Sequence, residues 1–136
     1  MNPPGIETNT HAGTRLTIEG VGKRFGAAVA LDHVSADFAA GSYVVLLGPS
    51  GSGKTTLLSI LGGFTAPSSG RVLLGGTDIT ALPPARRPTA TVFQDYALFP
   101  HMSIGDNVGF GLSVRGLPQA QIAQRVRDAL ALVGLA

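Results

Sequence analysis

The sequence has 136 residues, which suits one domain around one apolar core, since domains most often run to about 100 to 150 residues. Apolar residues make up 44% and charged residues 13%, against roughly 25% charged in an average globular chain, so charge-driven disorder is excluded and burial must drive folding. Ten basic and eight acidic residues leave a net charge of +2, too small a field to suggest DNA or RNA binding, and no cysteine is present for disulfides, thiolate nucleophiles or zinc-thiolate sites.

Residues 1–13 hold neither a basic n-region nor an apolar h-region and read as a disordered polar tail. No apolar run approaches the roughly 18 residues of a membrane span, so a cytosolic chain is expected. Thr14 to Gly20, with Leu16 and Ile18 alternating against polar neighbours, and Val29 to Phe38, with Val29, Leu31 and Val34, predict strands of a partly exposed sheet. Tyr43 to Leu47 is five apolar residues without alternation, bounded by glycines, and predicts a strand buried on both faces at a sheet centre.

Lys54 to Leu61 has helical spacing, and Gly62-Gly63 supplies its stop. Arg71 to Leu74 and Thr91 to Phe93 predict further short strands, separated by turns that include Gly75-Gly76 and Pro83-Pro84. The adjacent Arg86 and Arg87 read as solvated surface without a role. Ser103 to Val114 is weakly helical. Pro118 to Val133 is amphipathic, and its stripe of Ile122, Val126, Ala129, Leu130 and Val133 predicts a face packed on a core.

Gly48-Pro49-Ser50-Gly51-Ser52-Gly53-Lys54-Thr55 fits G-x-x-x-x-G-K-[ST] between the apolar run and the first helix, the setting in which that pattern carries meaning. A triphosphate needs many donors at short range, and glycines let the backbone approach it. The N–H groups from Gly51 to Thr56 are expected to converge on phosphates, aided by the positive end of the helix. Lys54 would reach the β- and γ-phosphates and the Thr55 hydroxyl would bind Mg²⁺. The competing reading is a glycine-rich turn that merely joins strand to helix.

The 47 residues ahead of this motif, with Phe25 in Gly22-Lys23-Arg24-Phe25-Gly26, together with Val92-Phe93-Gln94-Asp95-Tyr96-Ala97-Leu98-Phe99-Pro100-His101-Met102, resemble the ATP-binding subunit of ABC transporters. The wording around Gln94 and from Asp106 to Leu112 is similar to importers of polyamines and ferric ion. The resemblance implies an α/β P-loop NTPase core with an N-terminal antiparallel β-subdomain, spanning residues 14–136. It implies that Phe25 stacks on adenine, that Gly48, Pro49, Ser50, Gly51, Ser52, Gly53, Lys54, Thr55 and Thr56 hold ATP, and that Gln94 touches Mg²⁺ and the attacking water. An amide oxygen suits that hard cation.

By the same resemblance, Tyr96 to Met102 would lie against the coupling helix of a membrane permease subunit, on the inner face of the plasma membrane. Phe25 and that aromatic segment could instead be ordinary core. Neither the signature LSGGQ, a Walker B strand with its catalytic acid, nor a switch histidine is found, so the resemblance implies the first half of such a subunit, truncated before Walker B. Full-length members form homodimers, an assembly this half would not complete.

Asp78, Asp95, Asp106 and Asp128 are scattered and none ends an apolar strand, so binding without turnover is expected of this chain alone. The alternatives are a non-catalytic nucleotide-binding module and an unrelated P-loop kinase.

Overall fold

The computed structural model describes residues 13–135, so of the expected tail only Gly13 falls within the described residues. The chain divides into two compact units, one reaching Thr91 and one from Val92 onward.

The first unit opens with β1 (Leu16–Phe25) and β2 (Ala28–Phe38), an antiparallel hairpin in which Phe25 faces Ala28 across the Gly26-Ala27 turn. β1 buries Ile18 and Val21, three positions apart, although strict alternation would put them on opposite faces. A register shift between them, at Gly20 with its φ of 57°, inserts the extra residue that returns Val21 to the core. β3 (Ser69–Leu74) lies antiparallel on the other side of β1, followed by the short β4 (Thr77–Asp78), giving the order β2-β1-β3-β4.

Between β2 and β3 runs α1 (Lys54–Gly62), which lays Leu57 and Ile60 on the sheet residues Ile18, Val21, Leu31 and Val72 and on Ile79 just after β4. Fully burying such a side chain contributes about 1.5 to 3 kcal/mol. α1 therefore owes its place to this apolar face, since nine residues make a marginal helix alone.

Tyr43 to Leu47 is not a strand: it joins no ladder, and Tyr43 and Leu47 are 94% and 89% exposed. A strand buried on both faces needs hydrogen-bonded neighbours, and no strand among the described residues pairs with this segment. Thr91 to Phe93 likewise forms no strand. Val44 and Leu46 instead border an open apolar cavity of about 470 Å³ with Leu16, Phe38, Leu57 and Leu58.

In the second unit, Ser103 caps α2 (Ile104–Val114) by accepting from the Asp106 N–H at 3.1 Å. α3 (Gln119–Leu132) crosses it where Gly109 leaves room: a Cβ there would stand 3.0 Å from Ile122 and 3.2 Å from Val126. The expected apolar stripe is only partly covered. Ile122 is buried and Val126 and Leu130 half-buried, whereas Ala129 and Val133 are exposed. Gly105 faces Val126 and Gly109 faces Ile122, so the helices run antiparallel and the last turn of α3 passes beyond the first residue of α2.

Candidate nucleotide-binding site

Gly53, the residue capping α1, has φ 89°, and a Cβ there would meet the Ala30 carbonyl oxygen at 2.6 Å and a Leu31 methyl at 2.7 Å. Only glycine lets the loop rest on β2 in this way. The loop thereby borders a cavity of about 320 Å³ lined by Ala30, Ser50, Gly51, Lys54, Thr55 and Thr56, among others, a size in the range of small-ligand clefts.

Two donor groups are turned inward. The Lys54 ammonium donates to the carbonyl oxygens of Gly48 and Pro49, both at 2.7 Å, and to the Ser52 hydroxyl at 3.2 Å, which engages all three of its hydrogens. The Ser52 N–H donates to the Pro49 carbonyl at 3.3 Å, so the expected convergence of every N–H from Gly51 to Thr56 lacks this member. The first bond into α1 runs from the Leu57 N–H to the Gly53 carbonyl at 2.8 Å, leaving the N–H groups of Lys54, Thr55 and Thr56 ahead of the helical ladder. Three amides, a helix N-terminus and an ammonium beside one cleft are the elements an anion cradle needs.

Phe25 is 55% exposed at the hairpin, opposite Ala28. Ala30, which borders the cradle, is two residues further along β2, about 7 Å by strand rise. The Lys23 ammonium sits 5.0 Å from the centroid of the Phe25 ring and donates to the Ala66 carbonyl at 2.7 Å.

Gln94 belongs to the second unit and is exposed on the turn 94–97. Tyr96 and Ala97 follow with φ of 62° and 48°, a left-handed backbone costing about 1 to 3 kcal/mol per non-glycine residue. Tyr96 and Leu98 are exposed, whereas Phe99 stacks at a tilt on Phe110, centroids 4.6 Å apart. His101 and Met102 border a groove of about 440 Å³ between α2 and α3, with Asp106, Phe110, Ile122 and Val126.

Residues 31–136 match the family model described as ABC transporter. This chain belongs to the ABC transporter family. It is 50% identical over 120 residues to a spermidine/putrescine import ATP-binding protein, PotA, of Nitrosospira multiformis, covering 88% of this chain and 33% of that protein. A PotA of Bacteroides fragilis is 47% identical, with 88% and 26% covered, and an Fe(3+) ions import ATP-binding protein, FbpC 1, of Haemophilus influenzae is 48% identical, with 89% and 37% covered. The chain thus spans about a third of the length of these curated relatives. A crystal structure of a nucleotide-free ATP-binding cassette from an ABC transporter superposes with a TM-score of 0.52 at 40% identity, over 53% of this chain and 28% of that one.

Within this ABC-type chain, two residues carry more structure than their sequence suggests. Arg87, expected to be solvated, is 6% exposed, and burial lowers the pKa of its guanidinium. It is held by four backbone carbonyls, for which it is the matching planar donor. Asn107 ties down the aromatic segment, with its amide donating to the carbonyls of Phe99, Met102 and Ser103 and its oxygen accepting the Phe99 N–H. The only cue to Asn107 is its place just inside a helix after Ser103.

Among the described residues, no three His, Cys, Asp or Glu side chains gather to hold a metal. The exposed Thr55 hydroxyl beside the cradle fits a cation that takes most of its oxygens from phosphate and water, which is the habit of Mg²⁺.

Proposed function

We propose that this chain binds Mg-ATP at the Gly48–Thr56 cradle as part of the ATPase subunit of an importer that couples ATP hydrolysis to uptake of a small solute such as a polyamine or ferric ion. The observation that carries this reading is the glycine-pinned turn that sets Lys54, Thr55 and Thr56, whose N–H groups precede the helical ladder, along one cleft. Gly48 and Pro49 lend carbonyls that Lys54 releases when phosphate arrives, and Gly51, Ser50 and Ser52 supply the close backbone. Phe25 offers an exposed ring for adenine two residues along the strand from the cradle wall.

Thr55 would hold Mg²⁺, which when bound neutralises charge on the phosphates. Gln94, neutral and exposed, orients the water. The permease coupling helix docks on Tyr96 to Met102, where Tyr96 and Leu98 are exposed and His101 and Met102 border the groove between α2 and α3. The assembly lies on the cytoplasmic face of the membrane, the full-length subunit pairing with a second copy. No helix among the described residues is long and apolar enough to cross a membrane.

Calorimetric titration with Mg-ATP tests the site, and saturable binding is the expected result. Phosphate release by this chain alone is expected at background, because among the described residues no acid stands at the end of an apolar strand to orient a nucleophile. Binding without turnover also separates this reading from a kinase, for which ADP formation would depend on an added acceptor.

A further inference from the structure

Arg87 is a buried cation with no carboxylate beside it among the described residues. Its Nη1 donates to the carbonyls of Ile60 at 2.8 Å and Leu61 at 2.9 Å, its Nη2 to Thr80 at 2.9 Å, and its Nε to Leu82 at 2.8 Å. Ile60 and Leu61 lie in the last turn of α1, where the helix dipole concentrates negative charge, and the Ile60 carbonyl also accepts the Gly63 N–H at 3.1 Å. The neighbouring Gly63 is shaped for this contact. Its φ is 81°, and a Cβ there would stand 2.5 Å from the Arg87 Nε.

One end of α1 therefore carries the cradle and the other is held by a fork that also grips the segment after β4. Nine residues make a rod of about 13.5 Å, too short to bend appreciably. Leu57 and Ile60 fasten one face of this rod to the sheet through non-directional apolar contact, which permits sliding and rolling. Directed hydrogen bonds, two to α1 and two to the segment after β4, do not permit it.

We infer that Arg87 is a positioning residue for the phosphate cradle: by gripping the last turn of α1 it sets the axial position and roll of the helix, and hence where Lys54 and the amides of Thr55 and Thr56 point. Lysine would supply charge without the planar fork that spans four carbonyls. The inference rests on the nucleotide-site reading above and adds a residue remote from the nucleotide to it.

The test compares the unsubstituted chain with Arg87→Lys and Arg87→Ala in Mg-ATP titration calorimetry, at a temperature well below each melting point. Arg87→Lys is expected to weaken ATP binding about fivefold or more, the scale of an ordinary coupling between sites. Methylguanidinium is expected to restore affinity to Arg87→Ala. An arginine that merely stabilises the fold would lower the melting temperature and leave the dissociation constant of the folded protein unchanged, which would overturn the inference.

Should both variants fail to fold, the unsubstituted chain decides. Coupling is reciprocal, so saturating Mg-ATP must slow exchange of the Arg87 Nε–H, and an unchanged rate overturns the positioning role. Absence of ATP binding by the unsubstituted chain removes the nucleotide reading itself, whereas equal binding by wild type and Arg87→Lys removes only this inference.

Discussion

The Lys54 ammonium lies 2.7 Å from the carbonyl oxygen of Pro49, so the cation expected to meet phosphate is folded back on its own loop. A nucleotide must exchange that bond, a second to Gly48 and a third to Ser52 for bonds to anionic oxygen. Bonds to charged groups contribute about 1.5 to 3 kcal/mol, so Lys54→Ala should weaken Mg-ATP binding by roughly ten- to a hundred-fold in calorimetry. The same substitution should speed amide exchange at Ser52 without nucleotide, because the loop loses its internal strut. An ATP affinity that does not change would remove Lys54 from the site.

Gly53→Ala separates backbone strain from close approach. At φ 89° any side chain costs about 1 to 3 kcal/mol, and here the added methyl would also sit 2.6 Å from the Ala30 carbonyl oxygen. Gly76→Ala is the control, since φ there is 81° with nothing within 4 Å. Thermal unfolding should show Gly53→Ala as the more damaging by at least about 1 kcal/mol, and equal midpoints would mean that the loop does not rest on β2.

What could be read from the sequence was local. The strands expected at Thr14 to Gly20 and Val29 to Phe38 and the helix at Lys54 to Leu61 follow from periodicity within about ten residues, and β1, β2 and α1 form there, with β1 running on to Phe25. Tyr43 to Leu47 was misleading because burial on two faces depends on neighbours distant in sequence. Arg87 was illegible for a related reason: the carbonyls that hold it come from Ile60, Leu61, Thr80 and Leu82, and a pair of adjacent arginines otherwise looks solvated. The turn at Pro84–Arg86 directs the neighbours apart, leaving Arg86 in solvent and Arg87 inside. β4, at two residues, has too little length for alternation to register.

Asn107 should be as sensitive as a core residue although it is only half-buried. Its amide donates to Ser103 at 2.9 Å, Phe99 at 3.2 Å and Met102 at 3.3 Å, and its oxygen accepts from the Phe99 N–H at 2.8 Å. Asn107→Ala leaves those groups unmatched and should cost about 1 to 3 kcal/mol, with the nuclear magnetic resonance signals of Phe99 and Phe110 losing their mutual ring shifts. Asn107→Asp should be at least as harmful, since a carboxylate cannot donate to three carbonyls. Wild-type stability in the Asp variant would show that the donor side of the clamp is idle.

Acid should act through two surface carboxylates. The Arg15 side chain, donating to Asp37, holds that carboxyl below its ordinary value, and the Thr80 hydroxyl and N–H do the same for Asp78. A folded pKa depressed below the unfolded value of about 3.9 stabilises the fold above that pH, and the contribution is lost as pH falls through the folded value. The melting temperature should therefore decline below about pH 4, and modestly, because both carboxylates are exposed to solvent. The double variant Asp37→Asn, Asp78→Asn should start lower at neutral pH and fall less on acidification. A decline as steep as that of the unsubstituted chain would assign the acid response to other groups.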